Sequence, residues 1–327
     1  MAQTLADLQG SERATLGPST LHLFWDLFGM LAAEGVSICM DSGVYPILRW
    51  AVERAAARGA RVRSFQHHDV ASLWKLLNQP GPRRARRVIV TDGFCPSCGK
   101  VAPIARYLEL ARAHGGLMVI DDTQALGIFG HAPDSEAPYG KGGGGITRYF
   151  NTTRADVLVI SSLSKAFGVP IASLSGSSNL VRWFESASDT RVHCSPPSIA
   201  AVHAAQNALA LNRHHGDALR LRLARLVCRF RERLKEAGLA TTGGLFPVQT
   251  LANVSGSDAT SVHERLMRAG IRSVLRRGDN GGGPQLSLII TALHNSNEID
   301  RLADVIAYAG RRNGPSKDFR RENHEIQ

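Results

Sequence analysis

Apolar runs of strand length alternate with helical patterns through the first two hundred residues. The strand candidates are residues 37–40, 61–65, 87–91, 117–120, 157–161 and 171–175, with helical periodicity at 45–57, 70–77 and 103–113. Such alternation predicts parallel strands joined by helical crossovers. The strands are almost continuously apolar, which predicts a sheet covered on both faces. The expected class is α/β, with a mainly parallel sheet in a large domain over residues 1–213.

From about residue 214 the pattern changes. Leu219, Leu223, Leu226, Val227, Phe230 and Leu234 recur at helical spacing and predict a long amphipathic helix. Strands follow near 247–254, 271–274 and 286–291, then a last helix over 296–309. This is the pattern of a smaller α+β domain, residues 214–313. The polar end, 314–327, reads as disordered. Residues 139–145 (Tyr-Gly-Lys-Gly-Gly-Gly-Gly) read as a flexible loop, a tolerated insertion rather than a mobile flap.

Charge changes the picture little. The chain has 327 residues and a formal charge of +11, most of the excess being arginine. Arg83, Arg84, Arg86 and Arg87 form one run, the 220–233 stretch a second, and Arg311, Arg312, Arg320 and Arg321 a third. Arginines opposite the apolar stripe of the long helix read as a solvated face, and no nucleic-acid motif accompanies any run, so no nucleic-acid partner is expected. No apolar run has the length to cross a bilayer, and the start lacks a secretory pattern. A cytoplasmic protein with no membrane contact is expected, and five scattered cysteines suit reduced thiols.

Two segments carry candidate chemistry. Val119-Ile120-Asp121-Asp122-Thr123-Gln124 is a buried strand ending in two acids, and Val159-Ile160-Ser161-Ser162-Leu163-Ser164-Lys165 is another ending in hydroxyls and a lysine. Both put polar groups at the carboxyl ends of parallel strands, where open α/β sheets bind ligands. A desolvated lysine there becomes a nucleophile able to form a Schiff base with an aldehyde. Pyridoxal 5'-phosphate supplies one, and needs a carboxylate beside its pyridine nitrogen, a task that suits Asp121. Ser162 and Ser164 lie within reach of a phosphate near Lys165. Ser19 and Thr20 open an apolar helix beginning near Leu21, whose free N–H groups make a phosphate seat.

These segments resemble the fold-type I pyridoxal-phosphate enzymes of the α-oxoamine synthase group over about residues 8–310. Asp121-Asp122-Thr123-Gln124-Ala125-Leu126-Gly127 is similar to the family's Asp-[Asp/Glu]-[Ala/Ser]-His-x-x-Gly. Ser162-Leu163-Ser164-Lys165-Ala166-Phe167-Gly168 is similar to its Thr-Leu-[Ser/Gly]-Lys-[Ala/Gly]-Phe-Gly. Shorter matches follow in order at Thr91-Asp92-Gly93 with Gly99, Ser195-Pro196-Pro197, and Thr291-Ala292-Leu293-His294. The resemblance implies catalytic Lys165 and Asp121, with Tyr45 stacking on the ring, Gln124 at its phenolic oxygen, and Ser162, Ser19 and Thr20 on the phosphate. It implies a homodimer that condenses a small amino substrate with an acyl thioester.

Some positions depart from the family pattern. Tyr45 and Gln124 stand in place of histidines, and Ser287 and Gln285 in place of arginines, which removes a titratable group and a carboxylate grip. Arg276 or Arg277 is left to compensate. These departures keep an aminotransferase, or a catalytically silent partner subunit, as alternatives. The match begins inside the family's large domain, so an N-terminal arm has no counterpart, and truncation is the expectation. Cys95-Pro96-Ser97-Cys98 has the spacing of a zinc knuckle or redox pair, yet no second Cys/His pair shows ligand spacing. His67-His68 lies too far along the chain to count, so no metal is expected, and a reactive thiol near the cofactor is the remaining role.

Overall fold

The computed structural model describes residues 1–79, 85–152, 155–277 and 283–312, the side chains of 310–312 excepted. Arg83, Arg84 and the polar end expected to be disordered lie outside the described residues. The chain divides into two compact units, Met1–Leu221 and Arg222–Gln327.

The first unit opens with α1 (Ala2–Gln9), β1 (Arg13–Gly17), α2 (Thr20–Ala33), β2 (Ser37–Asp41), α3 (Pro46–Ala57) and β3 (Arg61–Phe65). Next come α4 (Val70–Leu77), β4 (Arg87–Asp92), the short hairpin β5 (Phe94–Cys95) and β6 (Lys100–Val101), α5 (Ile104–Ala113) and β7 (Leu117–Asp121). Then follow α6 (Ile146–Tyr149), β8 (Val157–Ser162), β9 (Ala172–Gly176), α7 (Ser178–Ala187) and α8 (Asp189–His193). The helix α9 (Ile199–Glu236) runs unbroken through residue 214 and into the second unit.

Local chemistry sets several of these boundaries. Pro46 sits in the first turn of α3, where its missing N–H costs nothing. Asp69 caps α4 by accepting the N–H groups of Ala71 and Ser72. Gly10 ends α1 in the left-handed conformation.

Seven strands form one sheet in the order β1-β9-β8-β7-β4-β2-β3. The five strands from β3 to β8 are parallel, as the alternating pattern predicts. Alternate residues of β2, β4, β7 and β8 (Ile38, Val88, Val119, Leu158) pack against Phe24, Leu27 and Phe28 of α2 and Leu48 and Val52 of α3. The strands β2 and β7 are buried along their whole length, which explains their continuous apolar runs.

The expectation of parallel pairing fails at β9, which runs antiparallel to β8, as β1 does to β9. Only residues 163–171 join β8 to β9. That is too short for a crossover helix, so the chain must turn back. The strand β1 and the helix α1 were not foreseen, since neither is long or strongly periodic.

Residues 139–145 are not the flexible insertion that their composition suggests. The Gly143 carbonyl accepts the Gly127 N–H at 2.7 Å, Gly145 N–H reaches the Phe129 carbonyl at 2.7 Å, and His131 and Lys141 exchange backbone bonds at 2.9 and 2.8 Å. Gly140, Gly142, Gly143 and Gly145 all have φ between 74° and 86°. The glycines are there to allow a left-handed path that the hydrogen bonds then fix.

The second unit holds the end of α9, then β10 (Thr241–Thr242), β11 (Val248–Leu251), α10 (Gly256–Arg268), β12 (Val274–Arg276), β13 (Gln285–Ile289) and α11 (Ser296–Arg312). Its antiparallel sheet has the order β10-β11-β13-β12. The strand expected at 271–274 begins only at Val274. Gly270 turns left-handed after α10, and Ile271 N–H is spent on the Leu266 carbonyl at 2.8 Å. The stripe of α9 is buried at Leu223, Val227, Phe230 and Leu234. Of its arginines, Arg222 and Arg225 face solvent, while Arg229 meets Asp300 and Arg233 meets Asp304 of α11. Arg220, against the expected solvated face, is buried and bonded to the Gly127 carbonyl, Asn212 and Asp217.

Candidate active site

The sheet has a topological switch at β2 and β4. From β2 the chain moves outward to β3, then returns to β4 on the other side and continues to β7 and β8. The crevice beyond the carboxyl ends of such strands is the natural ligand site. Asp41, Asp92 and Asp121 end β2, β4 and β7, and all three are buried.

Asp121 is held from its own loop. One carboxylate oxygen accepts the Thr123 N–H at 2.9 Å. The Thr123 hydroxyl in turn accepts the Ser162 N–H at 3.2 Å, tying the loop to β8. Burial pushes the Asp121 carboxyl up, and the Thr123 hydrogen bonds and the charge of Lys165 pull it back only in part. Such a carboxyl gains from a cationic N–H placed against it.

Lys165 lies in the turn beyond β8, whose register partner is β7. Contrary to the desolvated lysine expected from sequence, Lys165 is exposed in that turn. Its charge still reaches Asp121.

The phosphate-binding candidates meet through sheet register. Gly17 of β1 pairs with Ala172 of β9, and Ala172 pairs with Ser162 of β8. Gly17, and with it the start of α2, is therefore level with Ser162. Ser19 caps α2 through its backbone only, because its hydroxyl is engaged with His22 Nδ1 at 2.8 Å. The first N–H groups of α2, beginning at Thr20, carry no side-chain cap, as an anion seat requires.

The two serines near Lys165 differ. Ser164 donates its hydroxyl to the Val169 carbonyl at 3.2 Å, whereas Ser162 Oγ accepts the Ser164 N–H at 3.2 Å and keeps its own proton to donate.

Tyr45 opens α3 and exposes 49% of its surface, so its ring is free to cover a ligand. Its N–H donates to Asp92 Oδ2 at 3.0 Å, bridging the switch point from the β2 side to β4. The other Asp92 oxygen is buried without a hydrogen-bond partner. Burial and the neighbouring Asp121 push this carboxyl well above the usual range. Gln124 is half-buried in the turn after Asp121.

Sequence reasoning missed three contributors. Thr123 positions Asp121. Asp92 sits in a matched motif but was given no role. Gln9, at the end of α1, is fully buried and bonds the hydroxyls of Ser161 and Ser175 at 3.0 Å each. A polar residue at the end of a weak helix gives no sequence signal of its partners.

In the second unit, Ser287 is buried and bonded to the Thr250 hydroxyl at 2.8 Å, so it does not replace the arginine of the resembled family. Arg276 ends β12, beside Arg277.

The structure also overturns the dismissal of His67 and His68, which it places against Cys98. Hydrogen bonding from Cys95 holds the Cys98 thiol down at about 6, while the same pairing raises Cys95 to about 12.

Comparison with known proteins agrees with this geometry. The family model described as aminotransferase class I and II matches residues 2–306. An 8-amino-7-oxononanoate synthase of Alkalilimnicola ehrlichii is 28% identical over 309 residues, covering 94% of this chain and 75% of the relative. A Geobacillus kaustophilus protein with the same name, given provisionally, is 30% identical over 256 residues, covering 76% of this chain but 62% of its own length. The chain thus spans under two thirds of that relative. Among solved structures, Sphingomonas wittichii serine palmitoyltransferase matches with a TM-score of 0.81 at 20% identity, covering 95% of this chain and 75% of the other. The 8-amino-7-oxononanoate synthase of Francisella tularensis matches with a TM-score of 0.75 at 16% identity, covering 95% and 86%. At such identities the structural likeness speaks for the fold alone. No helix among the described residues is long and apolar enough to cross a membrane.

Proposed function

Because the chain belongs to the class I and II aminotransferase family, a family of pyridoxal-phosphate enzymes with the fold-type I architecture, we propose that it is an acyl-CoA:amino acid C-acyltransferase of the α-oxoamine synthase type. The observation that carries the reading is the buried Asp121 carboxyl, within the field of Lys165 and at the same sheet edge as Ser162 and the uncapped start of α2. The named relatives supply the reaction class.

Residues 1–213 form the cofactor-binding domain and 214–313 the small domain, in a cytoplasmic homodimer. The cofactor supplies an aldehyde that condenses with amines and a protonated pyridine that accepts the electron pair of a bond broken at the substrate's α-carbon. Lys165 would hold that aldehyde, and its amine, when free, would move a proton at the α-carbon. Asp121 accepts the ring N–H and keeps the positive charge there. Tyr45 lies over the ring face. Gln124 donates an amide N–H to the phenolic oxygen. Ser162 Oγ–H and the N–H groups that follow Ser19 and Thr20 bind the phosphate.

Gln124 favours a second reading. An amide cannot exchange a proton near neutrality, so acid catalysis during acyl transfer has no group at that position. An aminotransferase dispenses with that step. The purified, cofactor-loaded chain is incubated with amino acids, with and without acyl-CoA. Carbon dioxide release that requires the thioester supports condensation. Thioester-independent formation of a 2-oxo acid with the pyridoxamine form of the cofactor establishes the aminotransferase instead. Absence of both, with cofactor bound, leaves a silent partner subunit and sinks the proposal.

A further inference from the structure

Beside the crevice, but outside the cofactor residues, the fold gathers four metal-binding side chains from two loops. His67 and His68 follow directly on β3, and Cys95 and Cys98 flank the turn of the β5–β6 hairpin beyond β4. The His67 Nε2 lies 3.4 Å from Cys98 Sγ, and His68 Nδ1 lies 3.9 Å from the same sulfur. One ligand atom from each of His67, His68 and Cys98 falls within a 4.8 Å span. Cys95 is not among those three, and its Sγ lies 3.5 Å from the Cys98 backbone nitrogen. A tetrahedral zinc with bonds of about 2.0–2.3 Å needs ligand atoms about 3.3–3.8 Å apart, so small side-chain adjustments close these three, and the Cys95 side chain turns in as the fourth donor.

The surroundings are shaped for ligation as well. Cys98 N–H points at Cys95 Sγ at 3.5 Å, and Gly99 N–H closes the turn on the Cys95 carbonyl at 2.9 Å with φ of 71° at Gly99. A Cys-x-x-Cys turn with a backbone N–H aimed at sulfur and a left-handed glycine behind it offers two sulfurs to one ion. Asp41 does the same for the histidines. Its carboxylate takes His67 Nδ1 at 2.7 Å and the His68 N–H at 3.0 Å. With Nδ1–H held by Asp41, His67 turns its Nε2 to the Cys98 sulfur, and loss of the Nε2 proton completes the usual carboxylate–histidine–metal relay. His68 adopts φ of 57°, a strained choice for a non-glycine residue, and this folds its ring onto His67 at a centroid distance of 3.7 Å. The nitrogen it turns to Cys98 is Nδ1, while its buried Nε2 has no hydrogen-bond partner.

We propose that Cys95, Cys98, His67 and His68 form a tetrahedral zinc site, with Asp41 orienting His67. Two thiolates and two neutral imidazoles suit zinc and balance its charge. Four protein donors leave no open position for a substrate, so the site is structural. On binding, the protons still held by Cys95 Sγ and His67 Nε2 pass to solvent as the zinc–sulfur and zinc–nitrogen bonds form, the Cys98 thiol being already largely ionised near neutrality. The ion ties the loop after β3 to the hairpin after β4 and, through Asp41, to the end of β2. It thereby fixes the edge from which Tyr45 and Asp92 project. This inference does not depend on the reaction assigned above.

The test is metal content of the full-length, cofactor-loaded chain by mass spectrometry after removal of loosely held ions. A single equivalent of zinc is expected, retained in Lys165→Ala and lost in Cys98→Ser and in His68→Ala. Should those variants misfold, the unmutated chain answers alone. It is stripped with a chelator and titrated with cobalt, and tetrahedral visible bands together with a thiolate-to-cobalt charge-transfer band are expected. Cys95 and Cys98 should resist alkylation until the chelator is added. Failure to retain zinc or bind cobalt, recovery of a Cys95–Cys98 disulfide, or full zinc in Cys98→Ser would each overturn the proposal.

Discussion

Asp92 and Asp121 are register partners on the adjacent parallel strands β4 and β7, so two buried carboxyls stand side by side. Burial raises both, and Asp92 feels Asp121 as its second cause. One proton shared between them relieves the repulsion. Asp92, with one oxygen on the Tyr45 N–H and the other unpartnered, is the member we assign it to.

Stability against pH should show this. A carboxyl whose folded pKa lies above its unfolded value binds more protons when folded, so stability falls as pH rises from the ordinary carboxylate range towards the folded pKa. Asp92→Asn keeps an acceptor for Tyr45 and removes the titration. The variant should be more stable than the parent at neutral pH. That gain should shrink as pH falls through the carboxylate range. Denaturant midpoints of the cofactor-free proteins across pH measure it, and a difference that stays constant with pH would refute the assignment.

Asp121→Asn removes a charged acceptor from the ring nitrogen. Charge-assisted hydrogen bonds contribute ~1.5–3 kcal/mol, so cofactor affinity should fall ~10- to 150-fold. Equilibrium dialysis reads it directly. Unchanged affinity would mean that the ring lies elsewhere.

Tyr45 contacts Asp92 through its backbone, so its side chain is free to vary without breaking the bridge. Tyr45→Phe should bind cofactor as the parent does. Tyr45→Ala should lose ~0.5–1.5 kcal/mol of stacking, a several-fold weaker binding. If Tyr45→Phe loses as much as Tyr45→Ala, the hydroxyl and not the ring face is at work.

Gln9 connects α1 to β8 and β9 through Ser161 and Ser175. Gln9→Leu leaves two buried hydroxyls without that partner and should cost ~1–3 kcal/mol. Thermal denaturation checks this, and a neutral result would show that the hydroxyls find other partners.

Much of the first unit was legible because the central parallel strands β2, β4, β7 and β8 are largely apolar and α3, α4 and α5 in the crossovers are periodic. The segments 61–65 and 70–77 match β3 and α4 end to end. The antiparallel β9 escaped because direction is set by the length of the connection, not by the strand's own residues. Asp121 and Lys165 were singled out by the order and spacing of their two segments and by the family these resemble, since an acid at a strand end is common here: Asp41 and Asp92 end strands as well. The partners of Gln9, the support of Thr123 and the meeting of His67 with Cys98 were not. Each joins positions distant in sequence, and only the sheet order makes them neighbours.

The glycine clasp over residues 140–145 has a consequence for Asp121. Its last residue, Gly145, leaves room for no side chain, because a Cβ there would collide with the Asp122 carboxylate that caps α6 through the Ile146 N–H. Asp122 is the immediate neighbour of Asp121 along the backbone. A methyl group added at Gly145 would therefore act as a wedge against Asp122 and, through the backbone, disturb the carboxyl proposed to pair with the cofactor ring.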